Sequence, residues 1–155
     1  MQVFSQFFFA IIAPLVVAVS GLEVNLCTVV SVSNTTTDSM PLVSECWNLF
    51  DNINANDSYN VSDSTPREIE SNSSTCVLTL KRSTGTSQGP APGWNGDAKK
   101  DSVTYFTGLD IQEIIHQSIK KYTTTYKDGD HVGSRGQVLC DDGHNGTTAL
   151  NFNLY

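Results

Sequence analysis

From Phe7 to Val19 the chain is almost wholly apolar, and after Gly21 short apolar stretches alternate with polar ones at two different periods. The first stretch closes on Ala18-Val19-Ser20, a small-residue pattern that a signal peptidase accepts, so residues 1–20 are expected to be a cleaved secretory signal. Met1 to Gln6 carries no Lys or Arg, and a short membrane anchor or a buried N-terminal helix has the same hydropathy. No later run approaches the roughly 20 apolar residues of a membrane span, so the mature chain, residues 21–155, is expected to lack stable membrane insertion.

Val24 to Val32 is rich in Val and alternates imperfectly, which predicts a strand containing Cys27, and Asn34 to Asp38 reads as a loop. Ser39 is placed to cap a helix from Met40 to about Ile53, in which Leu42, Cys46, Leu49, Phe50 and Ile53 share one face. Pro41 fits the first turn of that helix, where its missing N–H costs little. Asn54 to Ser74 is rich in Asn, Ser and Asp and reads as an exposed connection with room for one short strand. Cys76 to Leu80 predicts a core strand with Cys76, Leu78 and Leu80 on one face, and Lys81 and Arg82 mark its exit to solvent. Ser83 to Ser102 contains Gly85, Gly89, Pro90, Pro92, Gly93 and Gly96 and is expected to be a flexible surface excursion, with Trp94 its only large apolar group. Val103 to Phe106 then predicts a short strand.

In Leu109-Asp110-Ile111-Gln112-Glu113-Ile114, Asp110 can accept from the Glu113 N–H while Glu113 reaches back to the Asp110 N–H, with Leu109 stapled on Ile114. This predicts a helix start. Ile111, Ile114, Ile115, Ser118, Ile119 and Tyr122 continue one apolar face, and Gln112, His116, Lys120 and Lys121 point outward. The β-branched run Thr123 to Thr125 ends the helix. Asp128-Gly129-Asp130 predicts a turn, Gly136 to Cys140 a strand, and Asp141 to Thr147 a hairpin connection. At the end, Leu150, Phe152 and Leu154 alternate with Asn151, Asn153 and Tyr155, as in a half-buried antiparallel strand. Together these elements predict an α+β domain: an antiparallel sheet with two helices packed on one face.

With 155 residues the chain has the size of one domain, since a second core would leave each half too little apolar surface to bury. The formal net charge of −7 disfavours a nucleic-acid partner, which is held by Lys and Arg displacing counterions. All four cysteines, Cys27, Cys46, Cys76 and Cys140, follow the expected cleavage point and form no Cys-x-x-Cys pair. In a secreted chain they predict two disulfides, with three connectivities open. Five Asn-x-Ser/Thr acceptors, at Asn34, Asn56, Asn60, Asn72 and Asn145, fall in turn-like sequence and are candidate glycosylation sites.

Five separated motifs in this order resemble the fungal extracellular-protein-2 effector-domain family, the family of necrosis-inducing factors. Ser44-Glu45-Cys46 with Leu49 and Ile53 resembles its acidic-Cys helix, and Ser74-Thr75-Cys76-Val77-Leu78 its next cysteine strand. Leu109 to Ile119 with Tyr122 is similar to its Asp-Ile helix, His131 to Cys140 to its Val-Gly-x-x-Gly approach to the last cysteine, and Leu150 to Tyr155 to its terminal strand. Phe152 stands where a Trp is expected, and the excursion at residues 83–102 is longer than the usual link. The resemblance implies a secreted effector in the apoplast of a host plant, in a family associated with cell death or with recognition by the host; a monomer that binds a host plant protein or cell-surface component without a cofactor is expected. The fold also looks similar to killer-toxin-like α+β sandwiches, which gives an alternative: an antifungal protein acting on competing fungi. Within this frame the expected pairing is Cys46 with Cys76, tying the first helix to the middle strand, and Cys27 with Cys140, tying the two ends.

Candidate chemistry is sparse, and no catalytic activity is expected. His116 stands three residues after Glu113 on the polar helix face, a spacing that suits a surface hydrogen bond better than a catalytic dyad. His131 and His144 are assigned to exposed loops, with His144, Asp141 and Asp142 a minor candidate metal group. Asp128-Gly129-Asp130 lacks the further oxygen ligands of an EF-hand, and Gly133 to Gly136 lacks the Gly-Lys-Ser/Thr ending of a phosphate loop. Trp94 is either a partner anchor or folded back on its own sheet, and Trp47 is expected to pack at the core edge.

Overall fold

The computed structural model describes residues 26–62, 66–72, 74–83, 104–141 and 147–155. The expected signal at residues 1–20, Val24, most of the excursion at 83–102, Val103 and the connection at 142–146 lie outside them.

Five strands form one antiparallel sheet: β1 (Cys27–Asn34), β3 (Arg67–Glu70), β4 (Val77–Arg82), β8 (Ser134–Asp141) and β9 (Thr147–Leu154). Their order is β1-β8-β9-β4-β3. Two further strand pairs stand apart: β2 (Ser58–Val61) with β5 (Thr104–Thr107), and β6 (Thr124–Tyr126) with β7 (Gly129–His131). The helices are α1 (Val43–Asn52) and α2 (Gly108–Tyr122). The expected α+β architecture is therefore present.

Alternation decides which side of the sheet is dry. Ile69, Leu78, Leu80, Val138, Cys140, Leu150, Phe152 and Leu154 are buried, and with Cys46 and Leu49 of α1 and Ile111, Ile114, Ile115 and Ile119 of α2 they form one cluster. Each such fully buried side chain contributes about 1.5–3 kcal/mol by leaving water. The period-2 pattern of β9 and the period-3.6 pattern of α2 meet in this layer, both as expected.

Several boundaries differ from expectation, each for a tertiary reason. Helix α1 starts at Val43, because Pro41 and Leu42 remain extended and pair with the end of β7: the Val132 N–H donates to the Pro41 carbonyl at 3.1 Å, and Leu42 bridges His131. Ser39 is not its cap, since the Ser39 hydroxyl bonds Thr37 Oγ1 at 2.8 Å. Instead the Glu45 carboxylate accepts from the Leu42 N–H at 3.3 Å. The stretch 54–74 holds two strands rather than one, β2 in the β2–β5 pair and β3 in the five-stranded sheet, and in β3 only Ile69 is buried. Charged residues flank Ile69, so β3 carries little apolar signal. Lys81 and Arg82 still belong to β4, and β8 is longer than expected at its start.

Helix α2 begins two residues before Asp110, at Gly108, with Thr107 as its cap. Thr107 Oγ1 accepts from the Asp110 N–H at 3.3 Å, while the Asp110 carboxylate accepts from Thr107 N at 2.7 Å and Thr107 Oγ1 at 2.8 Å. This is the reciprocal capping box, formed one turn earlier than the Asp110–Glu113 pair predicts. Gly108 permits it, because a Cβ there would lie 2.0 Å from the Asn54 carbonyl oxygen. Gln112, expected to face water, donates instead to the Phe50 and Ile53 carbonyls at 3.3 and 3.0 Å and so caps the open end of α1.

Helix α2 also covers the free edge of β1. Near its start the Asp110 carboxylate accepts from Cys27 N at 2.9 Å, and at its end the Tyr122 hydroxyl donates to the Val32 carbonyl at 2.7 Å. An uncovered edge strand is a template for pairing with another chain, and these two bonds occupy it.

The disulfides are Cys27–Cys140 and Cys46–Cys76, as expected. The β1–β8 register sets Cys27 opposite Cys140, and the buried stripe of α1 brings Cys46 to the chain entering β4.

Candidate functional site

Of the two described histidines, His116 faces outward as expected but does not bond Glu113, and His131 departs from expectation. His116 is exposed beside the Trp47 ring, with centroids 6.1 Å apart, and Glu113 Oε1 accepts from Gln117 Nε2 at 2.7 Å rather than meeting His116. The dyad therefore does not form. Trp47 packs edge-on to Phe50 at 5.2 Å, at the rim of the core.

His131, assigned to an exposed loop, is 4% exposed. Its Nδ1 lies 2.5 Å from the Met40 carbonyl oxygen and its Nε2 3.1 Å from Asp128 Oδ1, with the Tyr126 ring edge-on at 5.4 Å. Both nitrogens face acceptors, an arrangement that only the doubly protonated ring satisfies. The Met40 carbonyl pushes the His131 pKa up, burial opposes it, and the Asp128 carboxylate and more distant Asp38 add to the rise. The burial escaped sequence reasoning because Asp128-Gly129-Asp130-His131 looks like loop, whereas Gly129, at φ 146°, closes a hairpin that turns the ring inward.

The two aspartates of that turn diverge: Asp128 bonds His131, and Asp130 Oδ1 accepts from Thr125 Oγ1 at 2.6 Å. Among the described residues no group of three or more His, Cys, Asp or Glu could hold a metal ion. Asp142, His144, Asn145 and Trp94 lie outside those residues. Asn34, Asn56, Asn60 and Asn72 are all exposed. The two glycines before β8 and within it serve close packing: a Cβ on Gly136 would lie 2.0 Å from the Ser31 carbonyl oxygen.

Two concavities stand out among the described residues. One, of about 350 Å³, lies before α1 and includes Met40, Pro41, Glu45 and Tyr155. Its carboxylate is already engaged, because Glu45 Oε2 accepts from the Leu42 N–H and the Thr75 hydroxyl. The other is a shallow depression of about 530 Å³ on the side of the sheet away from the helices, between Ser31, Ser33, Arg135, Gln137, Asn151 and Asn153.

The pairing register extends this second surface across four strands. One row runs Ser33–Arg135–Asn153–Thr79 and the next Ser31–Gln137–Asn151–Lys81, all opposite the buried positions. Among the described residues three hydrogen bonds tie these side chains to the rows or to the rim: the Ser33 hydroxyl to the Arg135 carbonyl at 3.1 Å, Gln137 Nε2 to Asn151 Oδ1 at 3.4 Å and Thr79 Oγ1 to the Tyr155 hydroxyl at 3.1 Å. The Arg135 guanidinium and the Lys81 ammonium pair with no described residue. The Asn-Phe-Asn alternation of β9 foretells Asn151 and Asn153, but the neighbours that complete the surface come from strand order.

A small α+β body braced by two disulfides, with one polar sheet face left open, defines a class usual among secreted proteins. The sequence model of the Hce2 family, described as pathogen effector and putative necrosis-inducing factor, matches residues 26–140, and the chain belongs to this family. The match runs from the start of β1 to the last cysteine in β8, so the whole disulfide frame lies inside it and β9 lies beyond it. No curated protein matches the chain. Among the described residues no helix is long and apolar enough to cross a membrane.

Proposed function

We propose that the chain is exported through cleavage after residue 20, is glycosylated at some of Asn34, Asn56, Asn60, Asn72 and Asn145, and acts in the host apoplast by binding rather than by catalysis. Its partner is a host or cell-surface component. The observation that supports this is the open face of the five-stranded sheet, whose polar side chains lie across four strands with few bonds to one another. In contrast, the ionisable groups at buried positions, Asp110 and His131, are engaged in holding the fold. Catalysis requires a nucleophile or acid–base group with a partner beside a space for substrate. The depression on the sheet face offers the space with amides, hydroxyls and a guanidinium.

Infiltrating purified mature protein into leaves tests the proposal. Cell death or a recognition response that persists for the folded protein and disappears on disulfide reduction is expected. Growth inhibition of fungal lawns with no effect on leaves would favour the antifungal alternative and overturn this one.

A further inference from the structure

We propose that the open face of the β1-β8-β9-β4 sheet is a binding surface for an acidic oligosaccharide, one whose rings carry carboxylates. This rests on the effector reading above and names its partner class.

The chemistry of the face selects the ligand. Across its two central rows stand Asn151, Asn153, Gln137, Ser31, Ser33 and Thr79, groups that both donate and accept hydrogen bonds. Sugar hydroxyls also do both, so a ring can present donors and acceptors to neighbouring strands about 4.8 Å apart. The two rows themselves carry no large apolar side chain, and the exposed apolar groups of this sheet, Leu139 at 36% and Val30 at 54%, stand outside them in the adjoining row and in the β1 bulge; protein–protein interfaces draw most of their binding energy from aromatic and aliphatic anchors at their centre. Tyr155, 38% exposed and tethered by its hydroxyl to Thr79, places a rigid ring at one margin.

Charge then narrows the saccharide. The chain carries −7 overall, yet the charged groups in these two rows are cations, Arg135 and Lys81. The nearest carboxylate by register, Glu68, sits across from Thr79 on the edge strand, three strands from Arg135, and forms no ion pair with Lys81. An Arg guanidinium free of other partners matches a carboxylate with two parallel hydrogen bonds. Two strand spacings and two residues of offset put the Arg135 and Lys81 backbones about 12 Å apart, a span for several linked rings. Two cations are too few to track a nucleic-acid backbone against the overall negative charge.

The positions of the candidate glycosylation sites agree. None of the five acceptors lies in these rows, and Asn151 and Asn153, followed by Phe152-Asn153 and Leu154-Tyr155, are not acceptors. The four described acceptors, Asn34, Asn56, Asn60 and Asn72, are exposed outside these rows, so glycans there would be rooted off this face.

The test is titration of the mature glycoprotein with an oligouronate, a neutral oligosaccharide of equal length, and an acidic peptide of equal charge. Saturable binding of the oligouronate alone is expected, weakened at least tenfold by Arg135→Ala and severalfold by Asn151→Ala or Lys81→Ala, and falling with salt. These exposed side chains lie outside the core, so each variant should keep the wild-type melting temperature. No binding, equal binding of the neutral sugar or the acidic peptide, or an unchanged affinity in Arg135→Ala would overturn the proposal. If the protein then still provokes the leaf response, the effector reading stands without this ligand. Oligouronate binding with no host response would leave this inference standing and remove that reading.

Discussion

The two ends of the β1–β8 pair are fastened by different chemistry. At the Cys27 end a disulfide joins the strands and the Asp110 carboxylate holds the Cys27 N–H, whereas beyond the Ser134 end His131 spans the Met40 carbonyl and the Asp128 carboxylate. The disulfide of the first fastening is covalent and has no proton to gain or lose. The second depends on one. One end is thus closed permanently and the other conditionally, and each substitution below either removes that contrast or measures it.

The largest effect is expected from the covalent end. Closing 113 residues of sequence with Cys27–Cys140 stabilises the fold by about 5 kcal/mol in the chain-entropy model. The double variant Cys27→Ala/Cys140→Ala should lose most of that, read as a fall in urea midpoint with intact Cys46–Cys76. The Cys46–Cys76 link closes 30 residues, so its loss should cost less, about 3.6 kcal/mol. Equal losses would mean that loop length does not set the order.

Asp110→Ala comes next. The side chain is 3% exposed and satisfies both its own helix start and the edge of β1, so its removal leaves the Thr107 and Cys27 N–H groups without partners. A loss of about 3 kcal/mol in denaturant unfolding is expected, from charge-assisted bonds and unsatisfied donors together. Faster hydrogen exchange at Cys27 should accompany it. A smaller loss confined to the first turn of α2 would show that the β1 contact adds nothing.

Gln112→Ala probes a weaker junction between the two helices. Its amide serves two carbonyls at the end of α1, and replacing it should cost about 1 kcal/mol, with fraying around Ile53 visible in exchange rates. Asn at the same position is too short to span the gap and should behave like Ala.

These junctions mark the limit of what the chain reveals about itself. The apolar stripe from Ile111 to Ile119 and the alternation from Leu150 to Leu154 are periodic, so burial follows from spacing alone, and both lie in the core. Asp110 is different. Thr107-x-x-Asp110 and Asp110-x-x-Glu113 are both capping patterns, and the choice depends on where β5 ends and on the contact of Gly108 with Asn54. Pro41 looks like a first-turn proline until its carbonyl is seen bonded to Val132, a partner 91 positions away. The open sheet face is half legible: β9 declares Asn151 and Asn153, but Ser31, Arg135 and Lys81 join them only because β1, β8, β9 and β4 lie side by side. Local sequence encodes periodicity, and these long-range approaches are decided by packing.

The smallest and most conditional effect belongs to His131, where only a proton changes. Its pKa is raised above the ordinary value of about 6.5 in the folded chain, first by the Met40 carbonyl and then by Asp128 and Asp38. A raised folded-state pKa means that the folded chain holds the proton more tightly than the unfolded one. The stabilisation is therefore fully present below about pH 6.5 and fades as pH rises through the folded value. Melting temperature, compared with His131→Gln across this range, should show the wild-type advantage shrinking as the solution becomes more alkaline. The His131 Cε1–H resonance should titrate above the ordinary histidine value, and hydrogen exchange above that midpoint should rise first at Leu42 and Val132. A wild-type advantage that stays constant or grows with pH would mean that the ring is held neutral, and the contrast between a permanent and a conditional end would disappear.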